Sequence, residues 1–211
     1  MTNSTLPTPL SQEWRGIAAR SSSRKTAPGG LSEVILLIDA SGSMSNTLEQ
    51  AGRGAIDFAR KASGQGWSVG LVIFNDSSTF ACKPTKNPEA IASALPRVAS
   101  GGTAMHSAMA QTIQHLKDIK GHRSICIVSD GVPDDRGAAL ASAREARAAG
   151  IDVLVIAVDG ADSSFLSQLA TRPELARPAS VKSLPSAMAS MAGLLRNPVV
   201  PLRLQGRKPP S

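Results

Sequence analysis

Asp39, Ser41 and Ser43 stand at alternate positions just after the aliphatic run Val34–Ile38. Each carries a side-chain oxygen, and the residues between them, Ala40 and Gly42, are small. In a tight loop, alternate residues can point the same way, so a carboxylate and two hydroxyls can converge. Gly42 is expected to let the backbone turn. Two other segments offer matching chemistry. Gly101-Gly102-Thr103 precedes a helical pattern, and Ser129-Asp130-Gly131 closes a second aliphatic run. Asp39, Ser41, Ser43, Thr103 and Asp130 supply hard oxygen donors only, with no histidine or cysteine among them. Such a set suits Mg²⁺, Mn²⁺ or Ca²⁺ rather than zinc. With only two carboxylates, a bound cation keeps much of its electrophilicity and can accept one more anionic ligand, an Asp or Glu of a partner protein.

These donors need elements that bring them together. EVILLID, WSVGLVIFN, RSICIVSD and IDVLVIAVD are continuous apolar runs of strand length, the signature of strands buried on both faces. Helical patterns lie between them. TLEQAGRGAIDFARKA sets Leu48, Ala51, Ala55, Ala59 and Ala62 on one stripe, and GAALASAREARAAG is closed by Gly150 as a C-terminal cap. NPEAIASALPRV, TAMHSAMAQTIQHLKDI, SSFLSQLA and SLPSAMASMAGLLR complete the helices. SSTFACKP follows WSVGLVIFN with almost no connection, so it pairs antiparallel at an edge and ends at Pro84. The alternation predicts an α/β domain: a Rossmann-like open sheet of about six strands, mostly parallel with one antiparallel edge strand, with helices on both faces. Asp39 and Asp130 then fall at carboxyl ends of strands, where open α/β sheets bind ligands.

The combination of Asp39-Ala-Ser41-Gly-Ser43, Gly101-Gly102-Thr103 and Ser129-Asp130-Gly131 resembles the metal-ion-dependent adhesion site of von Willebrand factor A domains, over about residues 31–195. The resemblance implies that Ser41 and Ser43 bind the metal directly. It implies that Thr103 binds directly or through water, and that Asp39 and Asp130 do so according to state. It also implies a protein-interaction module rather than an enzyme, with Mg²⁺ as the expected ion and Mn²⁺ or Ca²⁺ as alternatives. Met44, Met105, Asp134 and Asp135 flank the site and are expected on the partner-binding rim, although Met44 and Met105 equally suit core packing. Asp134 and Asp135 equally suit a solvated turn opening the next helix. The compact chain looks like bacterial stand-alone members found with tellurium-resistance, stress, conflict or MoxR-type AAA+ systems.

The 211 residues carry a net charge of +7. Arg15, Arg20, Arg24 and Lys25 outweigh Glu13 in residues 1–30, and Arg196, Arg203, Arg207 and Lys208 stand without an acid in 196–211; the span between is balanced. Residues 1–30 read as an extension or linker and 196–211 as a basic, proline-rich tail. Such tails can touch nucleic acid, but aromatics make up only 3% of the chain, so base stacking is poorly served. A metal-dependent hydrolase or phosphotransferase is the other alternative. Ser41 stands where an aspartyl-phosphate enzyme would want an acid, and no G-x-x-x-x-G-K-[ST] phosphate loop is present. Cys82 and Cys126 sit in apolar runs and are expected reduced and buried. No apolar stretch reaches membrane-spanning length and no signal-peptide pattern opens the chain, so a cytoplasmic protein without membrane contact is expected.

Overall fold

The computed structural model describes residues 31–196. The expected extension 1–30 and, apart from Arg196, the expected tail 196–211 lie outside them. β1 (Glu33–Asp39) is buried along its whole length. A short 3₁₀ turn (Gly42–Asn46) leads to α1 (Leu48–Gly64), followed by β2 (Ser68–Phe74), β3 (Ser78–Thr85) and α2 (Pro88–Ser93). Then come α3 (Met105–Leu116), β4 (Arg123–Ser129), α4 (Arg136–Ala148), β5 (Asp152–Val158), α5 (Ser163–Leu169), β6 (Ala176–Ala179) and α6 (Leu184–Ala192). The sheet order is β3-β2-β1-β4-β5-β6. β2 and β3 pair antiparallel and all other pairs are parallel. α1, α2 and α6 form one helical layer, and α3, α4 and α5 form the other.

This order makes β1 the hinge of the topology. The chain moves outward from β1 to β2 and β3, then returns to place β4 on the other side of β1. The switch point lies between the carboxyl ends of β1 and β4, where parallel sheets leave a crevice. The register pairs Ile38 with Val128, which sets Asp39 beside the end of β4.

The edge strand runs through Pro84 instead of stopping there. An edge position tolerates a residue without an N–H, and the β2–β3 register shifts twice between Val69 and Val72. The sixth strand, Ala-Arg-Pro-Ala, is too short and too polar to show a strand pattern in sequence, yet it pairs with β5 from Ala176 to Ala179. α2 stops at Ser93, short of the expected stretch, ahead of Pro96. Asn87 caps its start by accepting from Glu89 N–H at 3.1 Å. Gly150 takes φ +73° just past α4, as its cap role requires. Cys82 and Cys126 are both free thiols. Cys126 is fully buried in β4, and burial pushes its thiol up to about 12.

The Ala stripe of α1 is buried as expected, and Gly54 and Phe58 join it. Gly54 is there for space. A Cβ at Gly54 would overlap the Met188 sulfur and come within 3.1 Å of Pro185 Cα, so the glycine lets α1 and α6 approach closely. Gly64, at the end of the same helix, has nothing within 4 Å of an added Cβ.

The two glycines should therefore respond in opposite directions. In Gly54→Ala, overpacking of about 1–3 kcal/mol outweighs a helix-propensity gain of about 1 kcal/mol. Gly64→Ala should gain about 0.4–1 kcal/mol. Denaturant unfolding of both variants checks this; a stabilised Gly54→Ala would contradict the close approach of α1 and α6.

Candidate metal site

The carboxylate of Asp39 sits at the end of a strand covered on both sides, and it is fully buried. Both its oxygens are held. Ser41 N–H donates to Oδ1 at 2.8 Å, and the Ser129 hydroxyl donates to Oδ2 at 2.5 Å. Ser129 in turn accepts from Gly131 N–H at 3.1 Å, tying Asp39 to the loop after β4. Among the described residues no basic side chain pairs with Asp39. Burial pushes the Asp39 carboxyl above its ordinary value, and the charge of Asp130 adds to the rise. The hydrogen bonds from Ser129 and Ser41 pull the other way. A buried acid so placed lacks a counter-charge, which a cation would provide.

The other donors gather around it. Ser41 Oγ and Ser43 Oγ are 3.1 Å apart, and Ser43 Oγ donates to Asp130 Oδ1 at 2.7 Å. Gly131 marks where three segments meet. A Cβ placed on it would lie 3.6 Å from Thr103 Oγ1, 3.7 Å from Ser43 Oγ and 3.8 Å from Asp39 Oδ2. The five side chains singled out by the sequence therefore face one small space lined by neutral hydroxyls and two carboxylates. Among the described residues there is no cluster of three or more His, Cys, Asp or Glu. The donor set fits a hard divalent ion that keeps room for an outside oxygen ligand.

Thr103 is placed by residues the sequence did not single out for that task. Asp76, in the β2–β3 turn, accepts from Gly102 N–H at 2.6 Å. Asn75 C=O accepts from Ala104 N–H at 2.7 Å. From the other side, both oxygens of Asp134 accept from Thr103 N–H at 3.0 Å, and Asp134 N–H returns a bond to Thr103 C=O at 3.1 Å. The first loop joins in through Gly42 N–H to Gly101 C=O at 3.1 Å and Ser100 N–H to Ala40 C=O at 2.8 Å. The glycine that this requires is Gly101, at φ +79°, where a Cβ would overlap the Asp76 carboxylate. Gly42 has no positive φ, and its Cβ would meet Gly101 C=O at an ordinary 3.7 Å. The turn expected of Gly42 is thus made without a special backbone conformation there.

The expected rim is redrawn. Met44 and Met105 are fully buried, because the 3₁₀ turn and the first turn of α3 rotate both side chains into the core. Asp135 is the N-cap of α4, accepting from Ala138 N–H at 2.8 Å. Asp134 stays exposed, but its carboxylate is spent on the Thr103 loop. Ser129, which holds Asp39, was visible in the Ser-Asp-Gly run without any signal of its task. Asp76 had no sequence signal at all, since only the hairpin turn brings it near Gly102.

A family model described as the von Willebrand factor type A domain matches residues 33–191. A search of curated proteins returns no match. Solved structures share the fold. The vWF domain of the type V pili tip protein Mfa5 from Porphyromonas gingivalis superposes with TM-score 0.71 at 12% identity, covering 78% of this chain and 94% of that one. BatB from Bacteroides thetaiotaomicron gives TM-score 0.59 at 19% identity, covering 77% and 99%. Proximal thread matrix protein 1 from the mussel byssus, in a form with a zinc-occupied MIDAS motif, gives TM-score 0.64 at 16% identity, covering 77% of this chain and 47% of that one.

The clamp on Thr103 can be tested without any ligand. Asp76→Ala removes the acceptor of an exposed amide and should cost about 1 kcal/mol, with faster hydrogen exchange at Gly102. Gly101→Ala places a side chain in the left-handed region and should cost about 2–3 kcal/mol. Unchanged exchange at Gly102 in Asp76→Ala would show that the loop is held by other means.

Proposed function

Because the chain belongs to the von Willebrand factor type A domain family, we propose that it is a protein-interaction module whose contact is completed by a divalent cation. Asp39, Ser41, Ser43, Thr103 and Asp130 would hold the ion, Mg²⁺ in the cell, with Mn²⁺ or Ca²⁺ as alternatives. A bound ion would supply a positive centre able to take a carboxylate oxygen from a partner's Asp or Glu. The residues of this chain do the rest. Ser129 and the Ser41 amide orient Asp39, Asp134 and Asp76 hold the Thr103 loop, and the hydroxyls leave the centre under-neutralised. The observation that carries this reading is the convergence of oxygens from three segments around Gly131.

A binding module is favoured over a hydrolase or phosphotransferase by the state of Asp39. Both its oxygens are already engaged by donors and its side chain is buried, so it does not present a nucleophile. The nucleic-acid alternative would act through the basic tails and does not involve the metal site. The described domain begins at Leu31, before β1, and ends at Arg196, which pairs with Asp152 at the start of β5. Both basic segments therefore join the domain at the amino ends of the parallel strands, the pole opposite the metal site. No helix among the described residues is long and apolar enough to cross a membrane. An association with an AAA+ ATPase or another stress or conflict component rests on the sequence resemblance.

Isothermal calorimetry checks the metal. Wild type should bind one Mg²⁺ or Mn²⁺ weakly, because the protein leaves coordination positions open and Mg²⁺ dehydrates reluctantly. Ser43→Ala, at an exposed position, and Asp39→Ala should each lower the affinity by about 10-fold or more, with circular dichroism unchanged. Zn²⁺ competition tests the choice of ion. Equal Mg²⁺ and Mn²⁺ binding by wild type and Asp39→Ala would remove the site.

A further inference from the structure

The described residues expose three large hydrophobic side chains: Leu31 at 64%, Val98 at 75% and Val132 at 45%. Leu31 lies before β1, at the far pole. The other two lie close in sequence to donors of the candidate metal site. Val132 follows Asp130 by two residues, and Val98 precedes Gly101 by three. Neither contributes to the core, and isolated exposed hydrophobics need no explanation. Each, however, stands in a loop that leads to or from a donor: Val132 just after Asp130, and Val98 ahead of Gly101-Gly102-Thr103.

Beside Val98 the surface opens into a groove of about 540 Å³ between the start of α1 and the loop 96–99. Leu48, Pro96, Val98 and Ala99 give it an apolar lining, and Ser45, two residues beyond Ser43 in the chain, also lines it. Its charges are unequal. Glu49 is neutralised by Arg53 at 2.6 Å. Arg97 is exposed and has no ion pair among the described residues. The groove thus sets one unmatched positive charge and an aliphatic wall on the two segments that continue from the donor loops, which Gly42 N–H to Gly101 C=O and Ser100 N–H to Ala40 C=O tie together at 3.1 and 2.8 Å.

We propose that this groove is a specificity pocket for the partner: the protein segment that brings an Asp or Glu to the metal also carries an aliphatic side chain that seats against Val98 and Leu48. Its acidic character is matched by both the cation and Arg97. The proposal rests on the metal-dependent reading above. It deepens that reading by giving the partner's recognition element a composition, an acid with a Val, Leu or Ile close in sequence, rather than an acid alone. Exposed side chains spend apolar area in water, and covering a valine on binding returns a modest gain.

The test uses the full chain and a defined probe. A phage-displayed library of random 12-residue peptides is selected on immobilised protein in Mg²⁺ and eluted with EDTA, with Asp39→Ala as the control surface. The expected consensus is an Asp or Glu with an aliphatic residue at fixed spacing. A synthetic consensus peptide should bind wild type about 5- to 10-fold more tightly than Val98→Ser. Replacing its aliphatic residue by Ala should cost as much on wild type and little on Val98→Ser. The melting temperature of Val98→Ser should match wild type, because the side chain is mostly exposed. A consensus with an acid but no aliphatic preference, or equal binding by Val98→Ser, overturns the groove and leaves the metal reading standing. No enrichment over Asp39→Ala overturns both. Mg²⁺-dependent self-association of the chain, measured by sedimentation and abolished in Val98→Ser, would assign the groove to a second copy and overturn the proposal as stated.

Discussion

A carboxylate buried without a basic partner is costly unless hydrogen bonds or a cation stabilise it, and Asp39 is such a group at the end of the central strand. The surrounding structure is organised by that constraint. β1 is covered by a helical layer on each face, so its last residue cannot escape into solvent. The switch in strand order brings β4 alongside, and with it the Ser129 hydroxyl that satisfies one oxygen. The tight exit of the chain after Asp39 turns the Ser41 amide back onto the other oxygen. The same turn points the Ser41 and Ser43 hydroxyls together.

The rest of the site is built from loops that brace one another. The loop after β1 is bonded to the Gly-Gly-Thr loop through Gly42 and Ala40. That loop is gripped by Asp76 and Asn75 from the edge hairpin and by Asp134 from the loop after β4. Each of the three donor segments is therefore fixed by at least one other, and the turn of the β2–β3 hairpin, whose inner strand pairs with β1, takes part as well. Hydroxyls held by their backbones lose little freedom when they turn to a ligand, which is the benefit of such preorganisation.

Much of this was legible in the chain. Continuous apolar runs marked the four long parallel strands, and the absence of a connection after WSVGLVIFN forced the antiparallel edge. The spacing of Asp39, Ser41 and Ser43 marked the site. What escaped was set by tertiary contact rather than by local pattern. β6 is four residues with a proline and an arginine, and only pairing with β5 makes it a strand. Asp76 looks like any turn aspartate until the fold brings Gly102 to it. Met44 and Met105 flank the motif in sequence, but flanking in sequence does not decide which way a helical turn rotates a side chain; both went inward. Val98 and Val132, unremarkable in the chain, stand exposed at the surface.

The central claim is that five oxygen-bearing residues from three segments form one cation site at the β1/β4 switch point. A crystal grown in Mn²⁺ and measured at the manganese absorption edge tests it most directly. The account predicts one strong anomalous peak beside Gly131, with Ser41 Oγ and Ser43 Oγ at about 2.0–2.3 Å as expected for a small hard cation and Asp39, Thr103 and Asp130 around it. An anomalous map with no peak there, or with the ion held only by exposed carboxylates elsewhere on the surface, would contradict it.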